Sequence, residues 1–272
     1  MRRAPAAAFL LLALLAAAEA SGPEGGEQAC DKGWERSGSR LCCKRNITDF
    51  FKARHFEELF PRRNDTIAHA AGFWDYPAFI AAAALFEPRG FGTTGGKEMG
   101  VREVAAFLAH VGAITSCGRF YPNPMAWGLC YKREMSPYQN FYCDDSNELY
   151  RCVEGLQYYG RGGEALFLFT AIWRWMTPVK WRQPSAHDAF VGNWKPSKND
   201  LLSKRYPGFG TTMNIMRGDR ICGQGFTDEM NNTISHYIYY LGLMGVNHEH
   251  SGRSLDCADQ VVFNPSSKSL GS

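Results

Sequence analysis

The residues best suited to do chemistry lie around one carboxylate, Glu134. No aspartate or glutamate occurs between Glu103 and Glu134, and the stretch between them runs from a helical apolar pattern into a Gly/Pro-rich loop and then aromatic residues. Hydrolysis of a glycosidic bond usually needs two carboxyl groups, one on each side of the bond. The stretch therefore suits a sugar-binding cleft, and it leaves open where a second carboxyl group would come from.

Aromatic side chains are enriched in this chain and could stack on the flat faces of sugar rings. The candidates for a binding role are Trp127, Tyr131 and Tyr150. Trp173 and Trp175 lie in an apolar helical run, which predicts that they pack in the core.

Other kinds of site have weaker signals. His248, Glu249 and His250 have a spacing compatible with a metal site, but no cluster of Cys or acidic residues nearby would complete it. A solvated loop is therefore expected there, and neither a metal nor a cofactor. The formal net charge of +3 is too small to favour nucleic acid as a partner.

The N-terminus has the pattern of a secretory signal peptide over residues 1–20. Arg2 and Arg3 precede an apolar run from Ala6 to Ala18, and Ala18-Glu19-Ala20 matches a cleavage site. The apolar run is shorter than the roughly 20 residues of a membrane span, so we expect a secreted, extracellular protein with no stable membrane span. The alternative is an uncleaved signal anchor that retains the protein in the Golgi.

Cysteines and sequons fit the same compartment. Nine cysteines predict disulfides, and the odd number leaves at least one thiol over. The Asn-X-Ser/Thr sequons at Asn46, Asn64 and Asn231 predict surface glycosylation sites.

Helical spacing dominates from Ile47 onward, and evidence for strands is thin. Asp75 is placed to cap a helix that stops before Pro88, and Val101, Val104, Leu108 and Val111 mark another helix that ends near Gly112. Later helices are expected over 163–176, 186–192, 198–204, 211–216 and 228–245. The predicted organisation is a linker with a small cysteine-containing segment (21–46), a mainly α domain with disulfide-tied loops (47–260) and a polar tail (261–272).

Motifs in fixed order give a resemblance to plant chitinases of glycoside hydrolase family 19, which have a lysozyme-like α+β fold. The matching stretches are HAAGFWDYPAFIAAAALF, GFGTTGG, REVAAFLAH, AWGLCYKRE, YYGRG, AIWRWMTP, SAHDAFVGNW, PGFG and LDC. The stretches TSCG, REMSP, DEMNNTISHY and DCADQ resemble the chitinase-like branch that is associated with cellulose synthesis.

The resemblance implies that the acid of the catalytic pair has been lost. Active members carry a His-Glu-Thr-Thr-Gly-Gly run whose Glu is the general acid, and this run falls on Ala113 and Ile114. Glu134 falls on the second carboxylate, which activates water in these inverting enzymes. An inverting pair stands about 6.5–9.5 Å apart, and here one member is a hydrocarbon side chain.

Three further positions depart from the pattern of active members. Arg217 stands where they have Asn, Ile221 where they have Glu, and Thr233 where they have an Arg that orients the carboxylates. Loss of a general acid alone typically costs a factor of about 10²–10⁴ in rate. Together the four changes favour a protein that does not hydrolyse chitin.

A further departure follows Gly162. Family members have a long segment there that forms one wall of the groove, whereas in this chain Gly162 runs directly into the next helix. A genuine deletion, an alternative transcript and a gene-model error are all compatible with the sequence. Each of them predicts a shallower cleft.

The resemblance also implies cysteine pairs and a role for Tyr150. Cys143 with Cys152 and Cys222 with Cys257 match family pairs. Ala68 replaces the family partner of Cys130, so Cys117 is the preferred substitute, and the pairing of Cys30, Cys42 and Cys43 stays open. Tyr150 stands where the family often has a Trp in the cleft.

These observations favour a secreted, monomeric, non-catalytic protein that binds a β-1,4-glucan or chitin-type polysaccharide and assists assembly of the cell wall. The alternative from the enzyme class is an active endochitinase. A third possibility is that the shortened chain is an unstable product without a function of its own.

Overall fold

The computed structural model describes residues 46–132, 164–178 and 182–263. Within these ranges the regular structure is helical and contains no β-strand. The α-helices are α1 (Ala53–Leu59), α2 (Tyr76–Ala84), α3 (Gly96–Thr115), α4 (Glu164–Met176), α5 (Ala186–Val191), α6 (Lys198–Leu202), α7 (Phe209–Ile221) and α8 (Asp228–Leu243). Short 3₁₀ turns connect several of them.

Helix α2 begins and ends where its sequence signals place it. The side chain of Asp75 accepts a hydrogen bond from the Ala78 N–H at 2.7 Å, which satisfies one of the free donors of the first turn. Pro77 sits in that first turn, where its missing N–H costs nothing. The helix ends at Ala84, ahead of a 3₁₀ turn that contains Pro88.

Helix α3 is the centre of the fold. It packs mainly against α8 and also contacts α4 and α5. The sequence predicted a helix over 101–112 from one apolar stripe, but the observed helix is longer because it begins at Gly96, after Gly95 in a left-handed conformation. Thirteen of its residues are buried, so the helix is enclosed on several sides rather than along a single face.

A buried carboxylate ties α3 to its neighbours. Glu103 accepts hydrogen bonds from the Gly92 N–H at 2.8 Å, the Trp175 indole at 2.9 Å and His187 Nδ1 at 2.6 Å. These three donors come from the loop before α3, from α4 and from α5. A fully buried carboxylate needs such partners, so this cluster fixes three segments of chain around α3.

The later helices agree with the sequence prediction in position, with one difference. Helix α7 extends from Phe209 to Ile221, well beyond the predicted 211–216, and Arg217 inside it has non-helical dihedral angles (φ −151°, ψ 32°). The helix is therefore bent at Arg217.

Two disulfides lie within the described residues. Cys117 pairs with Cys130 and Cys222 pairs with Cys257, in agreement with the pairings expected from the sequence. A disulfide that closes a loop of this length typically stabilises a fold by roughly 2–4 kcal/mol. The expected pair Cys143–Cys152, the cysteines Cys30, Cys42 and Cys43, and the chain around Gly162 lie outside the described residues. In the part of the chain that the structure describes, no helix has both the length and the apolar character of a membrane span.

Candidate functional site

The end of α3 carries the residue that replaces the expected proton donor. Ile114 is the penultimate residue of α3, and 52% of its surface is exposed. Ala113 beside it is half-buried. A hydrocarbon side chain has no proton to give, so Ile114 itself cannot act as a general acid.

Thr115 holds the chain after the loop against this end of α3. Its hydroxyl donates to the Val111 carbonyl at 2.7 Å and accepts from the Leu129 N–H at 2.8 Å. Its carbonyl accepts from the N–H groups of Cys130 and Tyr131 at 3.1 and 3.0 Å. The segment that leads towards Glu134 is therefore fixed beside Ile114 as far as Tyr131.

The loop between these two segments is closed by the Cys117–Cys130 disulfide. Ser116 Oγ donates to the Pro124 carbonyl at 3.2 Å and accepts from the Gly118 N–H at 3.0 Å, which holds the loop together inside the disulfide. We refer to residues 117–130 as the strapped loop.

The strapped loop presents aromatic side chains to solvent. Phe120 is 90% exposed, and Tyr121 beside it is exposed as well. An exposed Phe on a constrained turn contributes nothing to the core, so its surface is available to a ligand. The sequence analysis did not single out these two residues. The signal that could have found them is an aromatic pair inside a Gly/Pro-rich loop, where no core position is expected.

Trp127 occupies a different position from the one that its candidate role requires. It is only 7% exposed and stacks on Tyr121 with ring centroids 4.3 Å apart. Arg62 also lies over the Trp127 ring at 5.8 Å. Trp127 therefore supports Tyr121 from beneath and does not present an open ring face.

Tyr131 is half-buried and stacks on His69, with ring centroids 4.9 Å apart and planes 18° apart. Lys132 next to it lies over the ring of Phe73 at 5.4 Å. Tyr131 and His69 together form a two-ring surface near the end of the strapped loop. His69 was not identified from the sequence.

The remaining aromatic candidates divide between buried and exposed. Trp175 is fully buried and donates to Glu103, as expected for a core residue. The prediction that Trp173 packs in the core is wrong, because 42% of its surface is exposed. The reason is that the two residues are two positions apart on a helix and face different sides of it. Glu134 and Tyr150 lie outside the described residues.

Two of the other replaced positions meet between α7 and α8. Arg217 Nη2 donates to Thr233 Oγ1 at 3.2 Å, and Thr233 Oγ1 in turn donates to the Glu229 carbonyl at 2.8 Å. Ile221 is fully buried. The guanidinium group of Arg217 thus extends from α7, and it contacts the hydroxyl of Thr233 on α8.

Two buried histidines near this region are neutral. Burial, with the nearby charge of Arg217, lowers the pKa of His110 to about 3. His110 Nε2 must donate to Thr212 Oγ1, since that hydroxyl already donates to the Phe209 carbonyl.

Burial also lowers the pKa of His236, whose Nδ1 donates to the Asn232 carbonyl at 2.8 Å. Neither ring carries a proton that it could give to a leaving group at neutral pH.

The histidine-rich turn at His248–His250 is exposed, and His250 Nδ1 lies 3.3 Å from Glu98 Oε1. Within the described ranges, His, Cys, Asp and Glu side chains do not gather in groups of three or more that could hold a metal ion.

The three sequon asparagines, Asn46, Asn64 and Asn231, are all exposed. Asn64 Oδ1 accepts a hydrogen bond from the Gly72 N–H at 2.9 Å. Their glycosylation stays a prediction.

Comparison with known proteins decides the family. The family model for class I chitinases matches residues 50–168 and 163–257. The chain belongs to glycoside hydrolase family 19. The two matched parts of this family 19 chain meet at residues 163–168, directly after Gly162, where the sequence departs from the family pattern.

The curated relatives include chitinase-like proteins. Chitinase-like protein 1 of Arabidopsis thaliana is 54% identical, with 89% of this chain and 86% of that protein aligned. Chitinase-like protein 2 of the same plant is 52% identical over 89% and 84% of the two chains. Inactive chitinase-like protein 1 of Hevea brasiliensis is 36% identical over 76% and 74%.

The alignment with the first of these relatives covers 277 positions, more than the 272 residues of the whole family 19 chain, although only 89% of the chain takes part. The relative therefore carries residues that this chain lacks.

Solved structures give the same fold. Chitinase C of Streptomyces griseus aligns with a TM-score of 0.56 at 23% identity, over 79% of this chain and 99% of that one. The class IV chitinase of Zea mays aligns with a TM-score of 0.52 at 23% identity, over 78% and 100%. The helical core described above is thus that of a family 19 chitinase.

Proposed function

We propose that this family 19 protein is a catalytically inactive chitinase-like protein that binds a β-1,4-glucan or chitin-type polysaccharide outside the cell and assists assembly of the plant cell wall. The observation that carries the proposal is Ile114, a solvent-facing hydrocarbon at the end of α3 where active members place the general acid. Inverting hydrolysis needs a proton donor there to release the leaving sugar.

The surroundings of Ile114 support the loss of catalysis. His110, one turn earlier on α3, is neutral and buried, so it does not supply the missing proton. Arg217, Ile221 and Thr233 depart from the residues of active members as well. At these four positions the active pattern of two Glu, one Asn and one Arg has a formal charge of −1, whereas Ile114, Arg217, Ile221 and Thr233 sum to +1.

The exposed aromatic surface supports binding. Phe120 and Tyr121 stand on the strapped loop, and Tyr131 with His69 forms a second flat surface near its end. Rings held by a disulfide and by stacking lose little conformational freedom when a ligand binds, so they favour affinity. The name of the Hevea relative, inactive chitinase-like protein 1, is consistent with a chitinase fold that lacks catalysis.

The test is binding by the purified full-length protein. Isothermal titration with cellohexaose and with chitohexaose is expected to detect saturable binding of at least one of them, while chitohexaose stays intact on long incubation. Failure to bind either hexamer, or insoluble cellulose and chitin, would refute the proposal.

Phe120→Ala is expected to weaken that binding about five- to tenfold, because removal of one stacked ring costs about 1 kcal/mol. The matched control is Phe226→Ala, since Phe226 is also an exposed Phe but lies between α7 and α8. Equal losses in the two variants would show that Phe120 is not part of the binding surface.

An active endochitinase is the second candidate, and the family match favours it together with relatives such as Endochitinase 1 of Gossypium hirsutum, which is 34% identical over 80% of this chain and 75% of that protein. Its test is hydrolysis of chitohexaose by the wild type and by Glu134→Gln. Cleavage that this change abolishes would establish the enzyme and overturn the non-catalytic proposal.

The proposal includes secretion, glycosylation and a monomeric state. Expression of the full chain in plant cells is expected to release a protein that begins at Ser21 into the medium and loses mass on removal of N-linked glycans. Size-exclusion chromatography with light scattering then measures the oligomeric state, which we expect to be monomeric. Retention of an intact N-terminus in a membrane fraction would support the Golgi anchor instead.

A further inference from the structure

Arg217 is a second feature of the site, separate from the strapped loop. Its backbone departs from helical geometry inside α7, and its side chain crosses to α8, where Nη2 reaches the hydroxyl of Thr233. The side chain is largely buried, so its guanidinium group has little water around it.

Among the residues that the structure describes, this guanidinium group has a single hydrogen-bond partner, Thr233. Arg217 Nε is buried without a hydrogen-bond partner. Nη1 lies 3.8 Å from Glu229 Oε1, which is too far for a hydrogen bond. The Thr233 hydroxyl accepts one bond, but it is neutral and its own proton goes to the Glu229 carbonyl.

Within the described ranges, the positive charge of Arg217 is also incompletely balanced. The same oxygen, Glu229 Oε1, lies 3.1 Å from Arg220 Nη2 and therefore faces two guanidinium groups. Arg220 has the shorter contact, and Glu229 is partly open to water. On the side of α3, His110 is neutral and adds no negative charge.

Burial lowers the pKa of Arg217, and the charge of Arg220 acts in the same direction against the opposing effect of Glu229. Arginine nevertheless stays protonated in proteins. A largely buried cation with an unpaired Nε–H and, among the described residues, a shared counter-ion favours an incoming anion. A planar guanidinium group matches a carboxylate through two parallel hydrogen bonds. A sugar hydroxyl could accept a hydrogen bond from Arg217, but it could not balance the positive charge.

We propose that Arg217 binds the carboxylate of an acidic saccharide, so that the polymer recognised by this protein carries hexuronate residues. This inference rests on the proposed saccharide-binding function and goes beyond the neutral polymers named there, to a polymer in which some sugar residues carry a carboxylate. It assigns Arg217 a direct contact with the ligand.

The experiment compares two hexamers that differ only at C6. Cellohexaose carries hydroxymethyl groups, and the β-1,4-linked hexamer of glucuronate carries carboxylates at the same positions. Isothermal titration with the full-length protein at low ionic strength is expected to give about tenfold tighter binding of the glucuronate hexamer, since a hydrogen bond to a charged group is worth at least one order of magnitude in affinity. The difference is expected to shrink when salt is added.

Variants assign the preference to Arg217. Arg217→Gln is expected to bring the affinity for the glucuronate hexamer down to that for cellohexaose. Arg220→Gln, which removes an exposed cation from the same carboxylate, is the control and is expected to keep most of the preference. Glu229→Gln removes the competing carboxylate and is expected to increase the preference severalfold.

The outcomes separate this inference from the proposed function. Equal affinity of the wild type for the two hexamers would overturn the role of Arg217 and leave saccharide binding in place. Binding of neither hexamer, with none to chitohexaose, would reject both. A preference that Arg217→Gln and Arg220→Gln reduce equally would show a general charge effect and also overturn the inference. If Arg217→Gln does not fold, an unchanged preference in Glu229→Gln contradicts it.

Discussion

At the scale of single residues, Glu103 and His187 form the most enclosed ionisable pair that the structure describes. Both are buried and their side chains meet at 2.6 Å. Burial disfavours the charged imidazole, but the charge of Glu103 and the hydrogen bond to it outweigh this effect, so the pKa of His187 is raised above its usual value. The free energy of unfolding must therefore depend on the protonation of His187.

The direction in which the free energy of unfolding changes with pH follows from the raised pKa of His187. Because folded His187 binds its proton more tightly than the unfolded chain does, its contribution to stability is complete below the unfolded pKa of about 6.5 and is lost as the pH rises through the folded value. We expect the free energy of unfolding of the wild type to fall over this range relative to that of His187→Gln, which has no titrating group there. Urea denaturation of both proteins between pH 5.5 and 9 measures the difference.

His187→Gln is also expected to be less stable at pH 6 by about 3 kcal/mol, since it leaves the buried Glu103 without its charged partner. An identical pH slope for the two proteins would mean that folding leaves the pKa of His187 unchanged, and it would contradict the prediction. Glu103→Gln serves as a second check, because it removes the main cause of the raised pKa and leaves burial, which lowers the pKa of His187. The stability of this variant should therefore no longer fall as the pH rises.

The sequence could not predict this pair. Glu103 appears as one polar residue in an apolar helical pattern, and its side-chain partners Trp175 and His187 follow 72 and 84 residues later. Arg217 and Thr233 were recognised as departures from a family pattern, but their mutual contact depends on how two helices cross. Ile114 was identified through the resemblance alone, and the predicted end of the helix near Gly112 did not place it inside α3.

At the scale of elements, α3 and α8 approach closely, and glycine makes this possible. A Cβ on Gly112 of α3 would lie 3.2 Å from His236 and closer still to the Tyr240 hydroxyl, both on α8. The Tyr240 hydroxyl in turn donates to the Met125 carbonyl of the strapped loop at 3.3 Å. The contact between the two helices therefore also supports the loop that carries Phe120.

Gly112→Ala is expected to destabilise the protein by about 1–3 kcal/mol, because the extra methyl group forces two packed side chains apart. The matched control is Gly242→Ala on α8, where a Cβ would meet nothing within 4 Å. This control should raise stability by up to about 1 kcal/mol through helix propensity. Thermal unfolding measures both changes, and a Gly112→Ala protein as stable as the wild type would show that the helices can separate at little cost.

The helices themselves were largely predictable, since caps and apolar periodicity are local. Asp75 identified the start of α2, and the predicted range 228–245 nearly matches α8. The start of α3 at Gly96 and the bend at Arg217 were missed, because glycine and a lone polar residue carry no helical signal of their own. The exposure of Phe120 depends on a loop whose conformation is set by a disulfide and by Pro124, which no periodicity reveals.

At the scale of the whole molecule, this chain has the fold of a family 19 chitinase, and we propose that it has lost the groups that perform hydrolysis as a set. The core of α3, α7 and α8 is intact, and the replaced positions Ile114, Arg217, Ile221 and Thr233 sit on these three helices. If catalysis depends on the residues at all four positions, restoring the residue of active members at one of them should not restore chitin hydrolysis.

Ile114→Glu tests this dependence. The position is half exposed at the end of a helix, so we expect a change in the free energy of unfolding of no more than about 0.5 kcal/mol. A carboxyl group that open to water should titrate near its usual pKa of about 4.3 and be ionised at pH 6, where it has no proton to donate. We therefore expect chitohexaose to remain uncleaved by Ile114→Glu at pH 6. Cleavage that is present in Ile114→Glu and absent in Ile114→Gln would contradict this and show that the rest of the active site is still functional.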